Sequence, residues 1–207
     1  MKRTLLLFAV CLSLSIVGNA QTRKPIKKVT PPVSQAPVPP SANGKFKFYF
    51  KEIEGFYNDT DQKDYVIITA QGKNSSDIKS SIVSTLSSMY SNPSKVISIL
   101  GDNIINVTAY ASDAFQYPFA SSLKHYSFTY NIKIEIKDGK IKVASPVFSN
   151  ILEKEVFMGE TIGTNYLDTD KLYTELFFAK EFQQEKVEKI FNLHITRIIS
   201  GLSNSDW

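Results

Sequence analysis

Cysteine is almost absent from this 207-residue chain: its one copy, Cys11, stands inside the first apolar stretch. The remainder therefore has no disulfide, no thiolate metal ligand and no cysteine nucleophile, and its stability has to come from a packed core. Histidine is nearly as scarce, with only His125 and His194, and no serine lies in a nucleophile-elbow sequence. After the N-terminal stretch, no apolar run approaches the roughly 18 to 20 residues that a membrane-spanning helix requires. Acids are missing from residues 1–44, which hold six bases; residues 45–207 thus carry 18 of the 24 Lys and Arg against all 20 Asp and Glu. The basic balance of the whole chain belongs to its start. The domain lacks the clustered positive charge that phosphate neutralisation needs, so nucleic acid is excluded as a partner.

Lys2 and Arg3 precede the apolar run Leu5 to Val17, and Gly18 and Ala20 place small residues before a cut ahead of Gln21. Residues 1–20 read as a secretory signal peptide. A lipid attachment at Cys11 would need small residues before it, whereas Ala9 and Val10 stand there after a short stem. Residues 21–44 hold six of the nine prolines and no aromatic residue. Such a segment cannot offset its ordering entropy, which makes it an extended, disordered tether. Its four bases are read as solvated, with contact to an anionic surface as the alternative.

A single α+β domain is expected over 45–207. Its clearest stretch is Tyr126 to Ile136, where Tyr126, Phe128, Tyr130, Ile132, Ile134 and Ile136 alternate with polar residues, putting the apolar groups on one strand face. Asp138 and Gly139 form a two-residue turn that sets Ile136 against Ile141 and Ile134 against Val143. Upstream, Phe46, Phe48 and Phe50 alternate in a strand over 45–51, placed on the sheet or against its edge, and Tyr65 to Ala70 reads as an interior strand. A helix follows, capped by Ser75 or Ser76, carrying Ile78, Ile82, Val83, Leu86, Met89 and Tyr90 until Asn92 and Pro93 stop it. Val96 to Leu100 and Ile104 to Ala111 make a second hairpin, and Ser112 to Lys124 reads as a long aromatic loop. An irregular stretch follows Asn150. Helical spacing returns with Leu172, Leu176 and Phe177, and again from Val187 to Leu202, as two helices or one long one.

The segments Tyr65 to Gly72 leading into Lys73 and a Ser-capped helix, Met89-Tyr90 before Asn92-Pro93, the aliphatic strand at Val96, and the hairpin around Lys137-Asp138-Gly139-Lys140 together carry a resemblance. Over about two thirds of the chain, 65–202, it resembles an exported bacterial domain family of unknown function described as having a TATA-binding-protein-like fold. The resemblance implies an antiparallel sheet with one helix after the first core strand and a C-terminal helix on the same face. It also implies an exported, periplasmic or extracellular location, and it brings no catalytic residues.

The chemistry-bearing residues are few. Asp59, Asp61 and Asp64 suggest a calcium loop, but Lys63 occupies a ligand position and the turn glycine is missing, which leaves a solvated loop. Gly72-Lys73 before a helix lacks the first glycine of a phosphate loop, and Ile67 stands in its place. His194, beside the last apolar stripe, is expected to be packed rather than a ligand. Glu153, Glu155 and Glu160 could serve glycoside cleavage only as a pair across a cleft. No catalytic, metal or cofactor residue is assigned. The leading reading is an exported, non-catalytic binding module of unknown ligand; in the aromatic loop Phe115, Tyr117 and Phe119 are read as rings folded over an open end of the core, with a partner-binding lip as the alternative, in which Phe119 is expected in the core and Tyr117 exposed. A structural subunit of an envelope assembly is the alternative, and a carboxylate hydrolase the third.

Overall fold

The structure, a computed structural model, describes residues 46–203. The expected signal peptide, the tether and Lys45 lie outside the described residues. The main sheet has seven strands built around β6 (Ser122–Lys137). One edge of β6 pairs along nearly its whole length with β5 (Ile104–Phe119). The other edge is shared: β7 (Lys140–Ala144) takes Ile134 to Lys137, and β8 (Val147–Phe157) takes Leu123 to Asn131. Beyond β7 lies β3 (Tyr65–Thr69), beyond β5 lies β4 (Ile97–Leu100), and beyond β8 lies β9 (Glu160–Leu167). The β6–β7 register is the expected one, Ile136 with Ile141 and Ile134 with Val143, and Gly139 takes φ +68° in the turn. The six alternating apolar residues of β6 are all buried.

The helices cover that buried face. Helix α1 (Ser75–Ser87) is capped not by Ser75 or Ser76 but by Asn74, whose side chain accepts the N–H of Asp77 at 2.9 Å and donates to its carboxylate at 2.8 Å. Ile78, Ile82 and Leu86 are buried; the helix ends at Ser87, ahead of the expected stop, and Pro93 opens a short α2 (Pro93–Val96) that takes Val96 from the expected strand. The C-terminal part is two helices, α3 (Thr169–Phe178) and α4 (Glu181–Ser203). Helix α4 lies on α1 at one very close point: a side-chain carbon placed on Gly201 would sit 2.0 Å from Thr85 Oγ1 and 3.1 Å from its Cβ.

Three expectations about the strands also need correction. Phe48–Phe50 is a strand (β1), but it pairs with β2 (Phe56–Asn58) in a separate two-stranded sheet rather than joining the main one. Its remaining edge is filled by α4: Asn192 accepts the Phe48 N–H at 2.7 Å and returns a bond to the Phe48 carbonyl at 2.8 Å, while Glu188 accepts the Phe50 N–H at 2.8 Å. Second, Ser112 to Lys124 is not a loop. Strand β5 crosses a bulge between Ala111 and Phe115 and runs on to Phe119, opposite Ser122. Pro118 is tolerated because position 116 turns its N–H to the strand-free edge, as position 118 must two residues later. Third, the stretch after Asn150 is the β8–β9 hairpin. Asn150, at φ +48°, is the extra residue in a bulge that changes which parity faces inward, Phe148 before it and Glu153 after it.

His194 is fully buried. Its Nδ1 lies 2.9 Å from the Ile190 carbonyl and must donate, so Nε2 accepts from Tyr90 Oη at 2.5 Å. Burial lowers its pKa from 6.5 to about 4. Between those values the unfolded chain takes up a proton that the folded one refuses. Stability therefore falls as pH drops through that window, by up to about 3 kcal/mol at roughly 1.36 kcal/mol per unit. Denaturant melts at pH 7 and 4.5 should show this loss shrinking in His194→Gln. Gly201→Ala should lower stability by about 1 to 3 kcal/mol despite alanine's better helix propensity, because α1 and α4 have to separate; a thermal melt reads it.

Candidate functional site

The far end of the β5–β6 hairpin, the β8–β9 hairpin and the corner between α3 and α4 meet at one end of the sheet. Gln183 of α4 accepts the Gln116 N–H at 3.3 Å, and Lys124 Nζ lies 3.9 Å from Glu175 of α3. Leu123 pairs with Val156, and Ser122 Oγ donates to Glu155 at 2.5 Å.

The three aromatic residues singled out from the sequence occupy different depths here. Phe115 is fully buried and stacks on Tyr126, with ring centroids 4.4 Å apart and planes 5° from parallel. Tyr117 is half-buried against the core, whereas Phe119 is 49% exposed, with Lys124 Nζ 4.4 Å from its ring centroid. The expected order of Phe119 inside and Tyr117 outside is thus reversed. All three point to the helix-covered face, and burial falls toward the turn because Phe119 belongs to the last strand pair.

Beneath this rim lies a closed ionic cluster. Glu153, 3% exposed, accepts from Tyr126 Oη at 2.8 Å and from Asn165 Nδ2 at 3.0 Å, and Lys124 Nζ stands 3.1 Å away. Burial pushes the Glu153 carboxyl up, but these three donors outweigh it and hold it below the usual carboxylate range. Burial, with Glu153 next, raises the Tyr126 phenol, which stays protonated. A carboxylate ionised and fully engaged has no proton to give, so Glu153 is not suited to act as a general acid at neutral pH. Glu155 is held by Ser122, and Glu160 is exposed beside the β8–β9 turn.

The α3–α4 corner carries exposed rings that were not among the candidate site residues. Phe178 is 62% exposed and Phe182 52%, and Phe177 packs edge-on against Phe178 at 5.3 Å. Leu172 and Leu176 fill the inward positions of α3, so the Phe177-Phe178 pair is left outside. That doublet next to the lapse at Lys180 was the available signal. Phe157 and Met158 are exposed at the tip of the neighbouring β8–β9 hairpin.

Elsewhere, His125 Nδ1 meets Asp113 Oδ1 at 2.8 Å on the outer face of the sheet. Asp61 is engaged by Asn58 and by Lys63 at 2.7 Å. Among the described residues no group of three His, Cys, Asp or Glu is placed to hold a metal ion. Two clefts, one of about 180 Å³ beside Asn58 and Tyr65 and one of about 230 Å³ beside Lys73 and Leu202, fall below the roughly 300 to 1,000 Å³ of pockets that enclose a small-molecule ligand. No described helix is long and apolar enough to cross a membrane.

No family model matches the chain, and no curated protein matches it. Among solved structures it is similar to a TBP-like protein from Parabacteroides distasonis, at 8% identity and a TM-score of 0.46, covering 69% of this chain and 92% of that one. It is also similar to a DUF4468 family protein from Bacteroides ovatus, at 9% identity and a TM-score of 0.42, covering 69% of this chain and 86% of that one.

Phe115→Ser should cost about 3 kcal/mol or more, as expected for removing a stacked core ring, and Phe119→Ser less than about 1 kcal/mol. Denaturant unfolding of the two variants side by side checks the assignment.

Proposed function

We propose that this protein is an exported, non-catalytic binding module that engages a partner through the aromatic rim at the end of its sheet. The observation that carries the reading is exposed Phe119 at the end of the β5–β6 hairpin together with exposed Phe177, Phe178 and Phe182 at the α3–α4 corner, which Gln183–Gln116 and Lys124–Glu175 tie to that hairpin. Rings kept in water at the rim of a rigid scaffold are costly unless a partner covers them, and aromatic side chains contribute most to binding at interfaces. Lys124 and Lys186 lie over two of these rings, which adds cationic rims to an apolar centre. Export is supported by the charged start, apolar core and small-residue cut of residues 1–20, and the Pro-rich 21–44 would then hold the domain at a distance from its processed end.

The test is capture from envelope extracts with the purified protein and with Phe178→Ser/Phe182→Ser. Both rings are largely in solvent, so the double variant should keep its melting temperature within about 3 °C and lose the captured partner. Retention of the same partners at unchanged yield would remove the rim as the binding surface.

A further inference from the structure

Among the described residues several strand edges are met by particular side chains or kept short, and β9 stands apart from them. The outer edge of β1 is filled by Asn192 and Glu188, the Gln116 N–H on the free part of β5 is taken by Gln183, and the start of β3 is met by Asn58, whose amide donates to the Tyr65 carbonyl. Strand β4 is only four residues long, and Lys79 reaches the Gly101 carbonyl at its turn. Such devices prevent pairing with another chain. Strand β9 is eight residues long and carries none of them. It has no lysine and no proline, and its single charge, Glu160, is at its first position. Among the described residues nothing but β8 pairs with its backbone, and both of its faces are largely in solvent. The bulge at Ile162 distorts only its start; Gly163 to Leu167 pair regularly with Glu155 to Ile151.

What such an edge accepts is set by its backbone: an extended strand offering its own N–H and C=O groups. The five regular residues, Gly163, Thr164, Asn165, Tyr166 and Leu167, are all uncharged and suit their own reversal. Centred on Asn165, an antiparallel copy sets Thr164 against Tyr166 twice and Gly163 against Leu167 twice. Aromatic and β-branched residues form favourable cross-strand pairs, and no like charges meet in the paired span. Tyr166, 81% exposed in the single chain, would gain a neighbour on the outer face. We propose that β9 pairs with β9 of a second copy about a two-fold axis at Asn165, joining the two main sheets into one continuous sheet. The paired backbone, Gly163 to Leu167, uses none of the rim's aromatic side chains, and closed two-fold pairing uses up the regular part of the open edge.

Light scattering on the purified protein over a concentration series should give twice the chain mass. Tyr166→Lys, at a solvated position, and Thr164→Pro, which removes an amide, should each weaken dimerisation by at least about tenfold, because the two-fold axis repeats every substitution. Ile99→Lys on β4 and Phe178→Ser/Phe182→Ser on the rim should leave the dimer intact. A wild-type protein that stays a single chain at every concentration overturns the proposal. So does a mass that grows beyond two chains, or a dimer that Ile99→Lys breaks and Tyr166→Lys does not.

Discussion

The central constraint is that β6 has to satisfy two edges and one dry face at once. Its inner face is fixed by six alternating apolar residues, and its edges by β5 on one side and by β7 and β8 in succession on the other. The helices dock where those residues point, so Ile78, Ile82, Leu86, Phe191, Ile195 and Ile198 share one core with β6. The same strand also builds the site. Tyr126 is the last ring of the apolar series, and its hydroxyl opens the polar cluster around Glu153. Removing one partner of that buried cluster would leave an uncompensated charge, so the contacts of Tyr126, Asn165 and Lys124 to Glu153 tie β6, β8 and β9 together at this end of the sheet.

Much of this was legible wherever one face is buried and the other wet. Alternation and the Asp138-Gly139 turn fixed the β6–β7 register, and helical spacing located α1 and the buried stripe of α4. Legibility failed where that physics does not hold. The β8 bulge at Asn150 moves the inward set from Phe148 to Glu153, so no single period of two runs through the strand. Strand β9 is wet on both faces and has no apolar alternation to find. In β5, Asp113 at a bulge and Pro118 on an open edge are turn-forming residues used inside a strand.

The site was legible in location and illegible in depth. Phe115, Tyr117 and Phe119 share a face by strand parity, but sequence spacing does not show how far α3 extends over that face. Phe115 lies under the roof and Phe119 beyond it. The rings that complete the rim, Phe178 and Phe182, come from elements more than fifty residues away in sequence. Only tertiary docking, through Gln183 to Gln116 and Lys124 to Glu175, brings them to the hairpin end.

The polar lapses in α4 have a related explanation. Gln183 interrupts the apolar spacing and reads as solvated, yet it is buried and closes the edge of β5. Glu188 and Asn192 do the same for β1. Burial raises the Glu188 carboxyl above its usual range even though the Phe50 N–H opposes the shift, so this contact costs desolvation that an apolar residue would not. The arrangement is understandable because an unpaired strand N–H is costly when buried and adhesive when exposed, and a side-chain acceptor removes both problems. A helix that must cover a core and also terminate two strand edges cannot be uniformly apolar along its stripe. Its departures from amphipathic spacing mark the edges it meets, and among the described residues β9 is an edge to which no helix side chain is hydrogen-bonded.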